Sequence, residues 1–254
     1  MRAVALALLA AALGAGPAAA ERLIVSLSAN EVAIGSNYTG AQLVLFGVIE
    51  RDGQTADRPG DYDVVVTLRG PRENLTVRRK EALGPVWINR SQQKFVAVPT
   101  VLGVFSSRRL EEIASEPVRA RLRLGLEAIV QAPEFTYDRG RQDDPFRAGL
   151  IRLKMRDGLW AQTGRGVVFV TRDFFRATLP IPGTASIGNY DVEVLVMAEG
   201  TLISRRNASF EVVKAGFEEQ ITAFAQERSL VYGLLIGTMS LAFGWFATVI
   251  FRRD

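Results

Sequence analysis

Apolar residues form solid blocks at the two ends of this chain and alternate with polar ones between them. Met1-Arg2 leads into the apolar run Ala3 to Leu13, and small residues follow from Gly14 to Ala20. A charged start, a short apolar stretch and an A-x-A site at Ala18 and Ala20 have the order of an export signal, so residues 1–20 are expected to be removed before Glu21. The competing expectation is an uncleaved N-terminal anchor, for which the run is short. At the other end, Leu230 to Phe251 carries no formal charge over 22 residues. A helix of that length rises about 33 Å and spans a bilayer core. Tyr232 stands at one end and Trp245, Phe246 and Phe251 towards the other, as in an interfacial aromatic belt. Arg252 and Arg253 follow at once, and positive charge next to a span marks the cytoplasmic side. The expected topology is a single-pass protein of a bacterial inner membrane, with residues 21–228 periplasmic and residues 252–254 a cytoplasmic tail.

Within the apolar block, Gly233 and Gly237 form a GxxxG, and Ser240 and Gly244 continue the same small face. Small residues at this spacing let a second helix approach closely. Glycine is also common in membrane helices, so the pattern reads either as a docking face or as ordinary composition. If it is used, the partner is a second copy or another membrane protein.

Between the ends, short β-branched runs predict strands. Leu23–Leu27 is the first, Asn30–Gly35 reads as a kink, and Gln42–Ile49 is the second. Asp52-Gly53 and Arg58-Pro59-Gly60 mark turns before a strand at Asp63–Leu68. Thr76–Lys80, Pro85–Asn89 and Phe95–Val104 supply three more, with Trp87 expected in core or edge packing. The period then changes to that of helices. Pro117–Val130 lines up Val118, Leu122, Leu126 and Ile129, with Ser115 able to cap. A second helix begins at Asp143-Asp144-Pro145, buries Phe146, Leu150 and Leu153, and ends at Gly158. Strands return at Val167–Thr171 and Phe174–Leu179, and a hairpin follows with Tyr190, Val192, Val194 and Val196 on one face. Phe217, Ile221, Phe224 and Ala225 form an amphipathic stripe that either packs on the strands or lies on the membrane.

These elements predict a mainly β protein with inserted helices. The ectodomain is expected to be an immunoglobulin-like β-sandwich, one or two of them, followed by a single C-terminal transmembrane helix. "Immunoglobulin-like" refers to architecture alone, since no Cys–Trp–Cys pattern exists. The divisions are an N-terminal β-sandwich (21–107), a helical segment (108–160), C-terminal strands (161–215), a juxtamembrane helix (216–229) and the transmembrane helix (230–251).

Composition removes chemistry. The chain contains no Cys and no His. Cys–His and Ser–His–Asp nucleophile systems are excluded, as are thiolate or imidazole sites for zinc, copper and haem. Half of the formal charge of +4 comes from the termini, and no basic run with interleaved aromatics occurs, so no nucleic-acid partner is expected. Asp143-Asp144 reads as a helix cap. Glu111-Glu112 reads as the acidic start of a short helix. Asp52, Asp57, Asp61 and Asp63 share one loop that could in principle hold calcium, without the EF-hand pattern. Asn37, Asn74, Asn89 and Asn207 sit in Asn-x-Ser/Thr triplets, read here as turn and strand chemistry. No phosphate-binding glycine motif appears. Arg108-Arg109 could bind an anion or simply stand solvated at a helix start. No cofactor, catalytic residue or metal ligand is assigned.

The mature chain resembles a family of alphaproteobacterial single-pass membrane proteins with no known enzymatic activity. The likeness rests on Leu23–Ser28, Val98-Pro99 to Ser107, Phe146 to Trp160, Gly188-Asn189-Tyr190 and the anchor from Tyr232 to Arg252. It implies a periplasmic domain on a C-terminal helix. Members are often encoded beside a permease resembling sulfite or organosulfonate exporters, which implies a transporter-accessory role. The functional expectation is a non-enzymatic accessory or interaction protein. The alternatives are an envelope-assembly or chaperone-like factor that adds a strand to its partner, with Leu23–Leu27 or Thr201–Val213 as candidate edges, and a carboxylate- or metal-dependent periplasmic hydrolase.

Overall fold

Strict alternation of burial decides most of the strands. Phe175, Ala177, Leu179 and Ile181 are buried, whereas Arg176, Thr178 and Pro180 between them are exposed. In the computed structural model, residues 21–35, 40–50, 61–130, 144–215 and 224–250 are described. Seven strands come first: β1 (Arg22–Leu27), β2 (Glu31–Gly35), β3 (Ala41–Glu50), β4 (Asp63–Arg69), β5 (Arg72–Leu83), β6 (Val86–Pro99) and β7 (Leu102–Ser106). Four helices follow: α1 (Leu110–Ile113), α2 (Glu116–Leu122), α3 (Leu126–Val130) and α4 (Pro145–Arg156). β8 (Trp160–Gly164), β9 (Val167–Phe169), β10 (Phe174–Ile181), β11 (Gly188–Ala198) and β12 (Thr201–Ala215) complete the sheets, and α5 (Ser229–Ile250) ends the described chain.

One sheet runs β1-β3-β10-β9 and a second runs β2-β12-β11-β4-β7-β8, while β5 and β6 pair as a hairpin. Both sheets draw strands from before and after the helices, since β3 pairs with β10 and β4 with β11. They share one apolar core, built from Leu23, Leu45, Val64, Val66, Phe175, Leu179, Tyr190 and Val194 among others. The other face of the six-stranded sheet is covered as well. There Val65, Val104, Leu195, Met197 and Trp160 meet Ile113, Ile129 and Leu150 from the helices and Phe95 and Val98 from the hairpin base. Central strands β4 and β11 are therefore buried on both faces, which is why Val64-Val65-Val66 runs apolar without alternation.

Several expectations change. Residues 31–35 are a strand, not a kink, because Val32 and Ile34 enter the core while β2 pairs in parallel with β12. The three strands expected between Thr76 and Val104 are instead a long hairpin followed by β7. The helix expected over Pro117–Val130 breaks in two: Arg123 (φ 55°) and Gly125 (φ 101°) both take left-handed backbone, which ends α2 before α3 begins. In α4, Asp144 caps as expected, accepting from the Phe146 amide at 2.9 Å. Leu150 is buried, but Leu153 is exposed and Arg147 is buried. Trp87 is 68% exposed and belongs to no core. The amphipathic stripe before the membrane lies mostly outside the described residues, and only Phe224 and Ala225 fall within them.

The β11–β12 hairpin forms as read, closed by Glu199 and Gly200, both with positive φ (48° and 75°). Paired positive φ values suit the twist of a two-residue hairpin turn. At the other end of β11, Tyr190 is fully buried, stacks on Phe210 with centroids 5.3 Å apart, and donates its hydroxyl to the Ser186 carbonyl at 2.7 Å. Burial pushes the Tyr190 phenol up to about 12, with the Thr100 hydroxyl beside it pulling the other way. Its value in the unfolded chain is about 10, so between these two the unfolded state loses a proton that the folded state keeps. Stability from this group is therefore complete below pH ~10 and is lost as pH rises towards 12. Urea midpoints measured against pH should fall in that window, and Tyr190→Phe should flatten the fall while lowering the neutral-pH stability by about 1 kcal/mol. An unchanged alkaline limb in the variant would assign the loss to other groups.

The β5–β6 hairpin prolongs the β4–β7 ladder. Arg69 pairs with Leu102, the Gly70 amide donates to the Val101 carbonyl, the Thr100 amide donates to the Pro71 carbonyl, and Arg72 pairs with Pro99. Its base is packed: Phe95 and Val98 are fully buried, Lys154 pairs with Glu73 at 2.7 Å, and Asn74 Oδ1 accepts from the Ala97 amide at 3.0 Å. Ala97 (φ 56°) stands at the irregularity that this side chain satisfies, which gives Asn74 a structural role. The tip is bare. Leu83, Val86, Trp87 and Ile88 are all exposed around a Gly84-Pro85 turn.

Candidate functional site

Two features of the described residues could carry function: a charged cleft at one end of the sheets and the apolar helix that follows them. The registers fix which end is which. Asp63 lies across from Met197, close to the Glu199-Gly200 turn, whereas Arg69 lies across from Asp191 and Gly188 across from Val212. The cleft is at the Asp63 end, and β12 leads out of the domain at the Arg69 end.

The cleft measures about 830 Å³ and is lined by Asp61, Tyr62, Asp63, Ser107, Arg108, Arg165, Phe169, Arg172 and Glu199 among others. Asp63 opens β4 with its side chain 6% exposed. It accepts from Ser107 Oγ at 2.9 Å and from Arg108 Nε at 2.8 Å, and the second Arg108 nitrogen grips its other oxygen. Ser107 Oγ in turn accepts from the Val64 amide at 3.2 Å. This two-pronged grip is the expected geometry for a guanidinium on a carboxylate. Arg108, read from sequence as an anion binder or a solvated helix start, instead locks the start of β4 to the end of β7. Arg165 and Arg172 add positive charge with no ion pair among the described residues. Arg165 has left-handed backbone (φ 81°), held by its amide donating to the Ser106 carbonyl at 2.7 Å.

Donors occupy both Asp63 oxygens, and Asp61 and Glu199 are the other carboxylates that line the cleft. Among the described residues, no three His, Cys, Asp or Glu side chains gather where a metal ion could be held. Of the four aspartates considered for calcium, Asp52 and Asp57 lie outside the described residues and Asp63 is taken by Arg108. Three of its residues, Asp61, Asp63 and Arg108, were singled out from sequence, but not as parts of one site. Its arginines and aromatics come from separate segments, each unremarkable alone.

Helix α5 carries most of the residues singled out from sequence. Gly233, Gly237, Ser240 and Gly244 fall on it at helical spacing, and a Cβ added at any of the three glycines would meet nothing within 4 Å. Ser240 Oγ donates to the Ile236 carbonyl at 2.9 Å, so the small face presents no unpaired hydroxyl there. Tyr232 packs edge-on against Phe224 at 6.4 Å, and Trp245 against Phe246 at 5.6 Å. Ala18, Ala20, Arg252 and Arg253 lie outside the described residues. Ser229–Thr248 is long and apolar enough to cross a membrane, with a mean hydropathy of 1.7 and none of it buried. A model of the family described as "Putative transmembrane protein", Alph_Pro_TM, matches residues 22–253. The chain belongs to that family. Its match takes in the whole β domain together with α5, so the two form one inherited unit. Membership and one C-terminal helix able to span a bilayer together fit a single-pass membrane protein. No curated protein matches the chain.

The candidate edges for strand addition are each covered in part. β12 pairs with β11 from Thr201 to Val212 and with β2 over Glu211–Ala215. β1 is an edge strand, but Arg206 on β12 donates Nε to the Leu23 carbonyl at 3.0 Å and so occupies part of that edge.

Proposed function

We propose that this chain is a non-enzymatic accessory protein of a bacterial inner membrane. A periplasmic, immunoglobulin-like β-sandwich stands on α5, the C-terminus is cytoplasmic, and the Gly233/Gly237/Ser240/Gly244 face docks another membrane protein. The observation that carries this reading is the wholly uncovered, apolar length of Ser229–Thr248, which only lipid or other helices would tolerate. The open glycine face adds the means for close helix approach. A permease of the sulfite or organosulfonate exporter type is the partner that the family resemblance implies, and a second copy is the other occupant of that face. The cleft at the Asp63 end then serves as a solute or partner contact remote from the exit of β12.

The sandwich assignment is supported by the strand orders. The first strand segment divides, β1 joining one sheet and β2 pairing in parallel with the last strand of the other, as the split first strand of immunoglobulin-type domains does. Tyr190, near the start of β11 with its hydroxyl on the Ser186 carbonyl, has the form of a tyrosine corner. Residues 70–100, 107–166 and α5 are then additions to that plan.

Affinity purification of the full chain from native membranes tests the docking. Wild type should retain a membrane partner or a second copy, and Gly233→Leu with Gly237→Leu should lose it while membrane insertion persists. Unchanged retention would remove the helix face from the reading. A reporter fused after Asp254 that works only outside the cytoplasm would reverse the topology.

A further inference from the structure

At the β5–β6 tip four large apolar side chains stand out together, at a turn and not, like exposed Ile24, Phe46 and Val48, on the face of a sheet. Leu83 is 63% exposed, Val86 57%, Trp87 68% and Ile88 37%. Cross-strand pairing sets Leu83 with Val86 and Glu81 with Ile88 on one face, and Ala82 with Trp87 on the other. The tip is therefore apolar on both faces, a wedge and not a stripe. A stripe would suit side-by-side packing, whereas a wedge suits insertion. Behind it the arms are basic. Arg78, Arg79, Lys80 and Arg90 stand against Glu81 alone over residues 78–90, and Glu81 is held by Arg79 at 2.7 Å and approached by Arg90 at 3.8 Å. Arg78 and Lys80 are exposed on the face that also carries Trp87.

Two further facts bear on what this wedge meets. The hairpin is rooted at the end of the sheets where β12 leaves: Pro71 Cγ lies 3.1 Å from where a Cβ on Gly188 would stand, and Gly188 pairs with Val212. The hairpin and the chain that leads on to α5 therefore leave the sheets at the same end. The arms are also long. From Arg72 to Leu83, the 12 residues of β5 extend about 40 Å at 3.3 Å per residue.

We infer that the β5–β6 tip docks on the surface of the same bilayer that holds α5, with Leu83, Val86, Trp87 and Ile88 in the headgroup–acyl boundary and Arg78, Lys80 and Arg90 among anionic headgroups. Tryptophan with neighbouring cations is the side-chain set that this boundary favours. The inference rests on the reading of α5 as a membrane span, and it adds a second, reversible contact that fixes how the domain sits over the lipid.

The absence of cysteine permits a clean test. Val86→Cys, and separately Glu199→Cys at the opposite end of the domain, are labelled with an environment-sensitive fluorophore in the full chain. Each is reconstituted in nanodiscs of phosphatidylcholine with phosphatidylglycerol, with or without brominated acyl chains. Bromolipid should quench the label at 86 several-fold more than the label at 199, and iodide should do the reverse. Replacing phosphatidylglycerol by phosphatidylcholine, or introducing Arg78→Glu with Lys80→Glu and Arg90→Glu, should remove most of that difference. A label at 86 that stays accessible to iodide in nanodiscs overturns the inference. If it is then shielded only in native membranes, the tip meets a protein and not lipid. Penetration that ignores headgroup charge overturns the role given to the arginines and Lys80. Failure of the chain to enter nanodiscs at all would instead count against α5 as a span.

Discussion

A chain carrying Met239→Arg and Phe243→Arg is expected to leave the membrane fraction with its β domain still folded. Both side chains are exposed, at 49% and 67%, and sit in the middle turns of α5. An arginine near the centre of a membrane helix costs about 2.5–3.5 kcal/mol of insertion, so two together outweigh the margin of a single moderately apolar span. Alkaline carbonate extraction followed by circular dichroism separates the outcomes. Loss from the membrane with strand signal retained is the expected result. Unfolding of the domain would mean that α5 is a packed helix of that domain, and retention in the membrane would mean that it is not the anchor. Met239→Leu with Phe243→Leu should behave as wild type.

Gly47→Ala should cost about 3 kcal/mol, the upper range for overpacking a closed core. Gly47 lies on β3 directly opposite Phe175 on β10, and the Cζ end of the aromatic ring fills the space where a side chain would start. A Cβ at residue 47 would stand 2.1 Å from Phe175 Cζ and 2.6 Å from both Cε atoms. The ring has nowhere to go, since Phe175 is fully buried and packs against Phe169 at 5.7 Å. Phe175→Leu alone leaves a cavity, yet Gly47→Ala with Phe175→Leu should be less destabilised than the two single losses added. Contacting residues couple in this way, and the sign of the coupling reports the clash. Urea unfolding of the detergent-solubilised chain gives all three values. A cost below about 1 kcal/mol for Gly47→Ala would show that the sheet can shift to accept the methyl group.

The strands whose two faces differ were legible in the sequence, because alternation alone states which side is buried. β1, β3, β10 and the first half of β11 follow that rule. Longer pairings were not legible. β5 was cut short to Thr76–Lys80 and β6 was split across the polar stretch from Arg90 to Lys94, which carries no apolar rhythm; what holds these strands is register with each other and with β4–β7. β2 escaped notice since five residues with two inward side chains look like a bend until the parallel partner at Glu211–Ala215 is known. The helix break at Arg123 was hidden by Val118, Leu122, Leu126 and Ile129, which keep a helical phase across the left-handed residues. The glycine face of α5 was read directly from spacing. The cleft was not, since Asp63, Arg165, Arg172 and Glu199 are brought together only by the sheet.

The parallel pairing of β2 with β12 has a mechanical consequence. The strand that continues towards α5 is zipped along Glu31–Gly35 in the same direction, and along β11 in the opposite one. Tension transmitted from an anchored helix to Ala215 pulls β12 along its own axis. Its rungs to β2 and β11 are then loaded in shear and share the load, where a peeling force would open them one at a time. Such a domain can be tugged from the bilayer without unravelling from the tethered end.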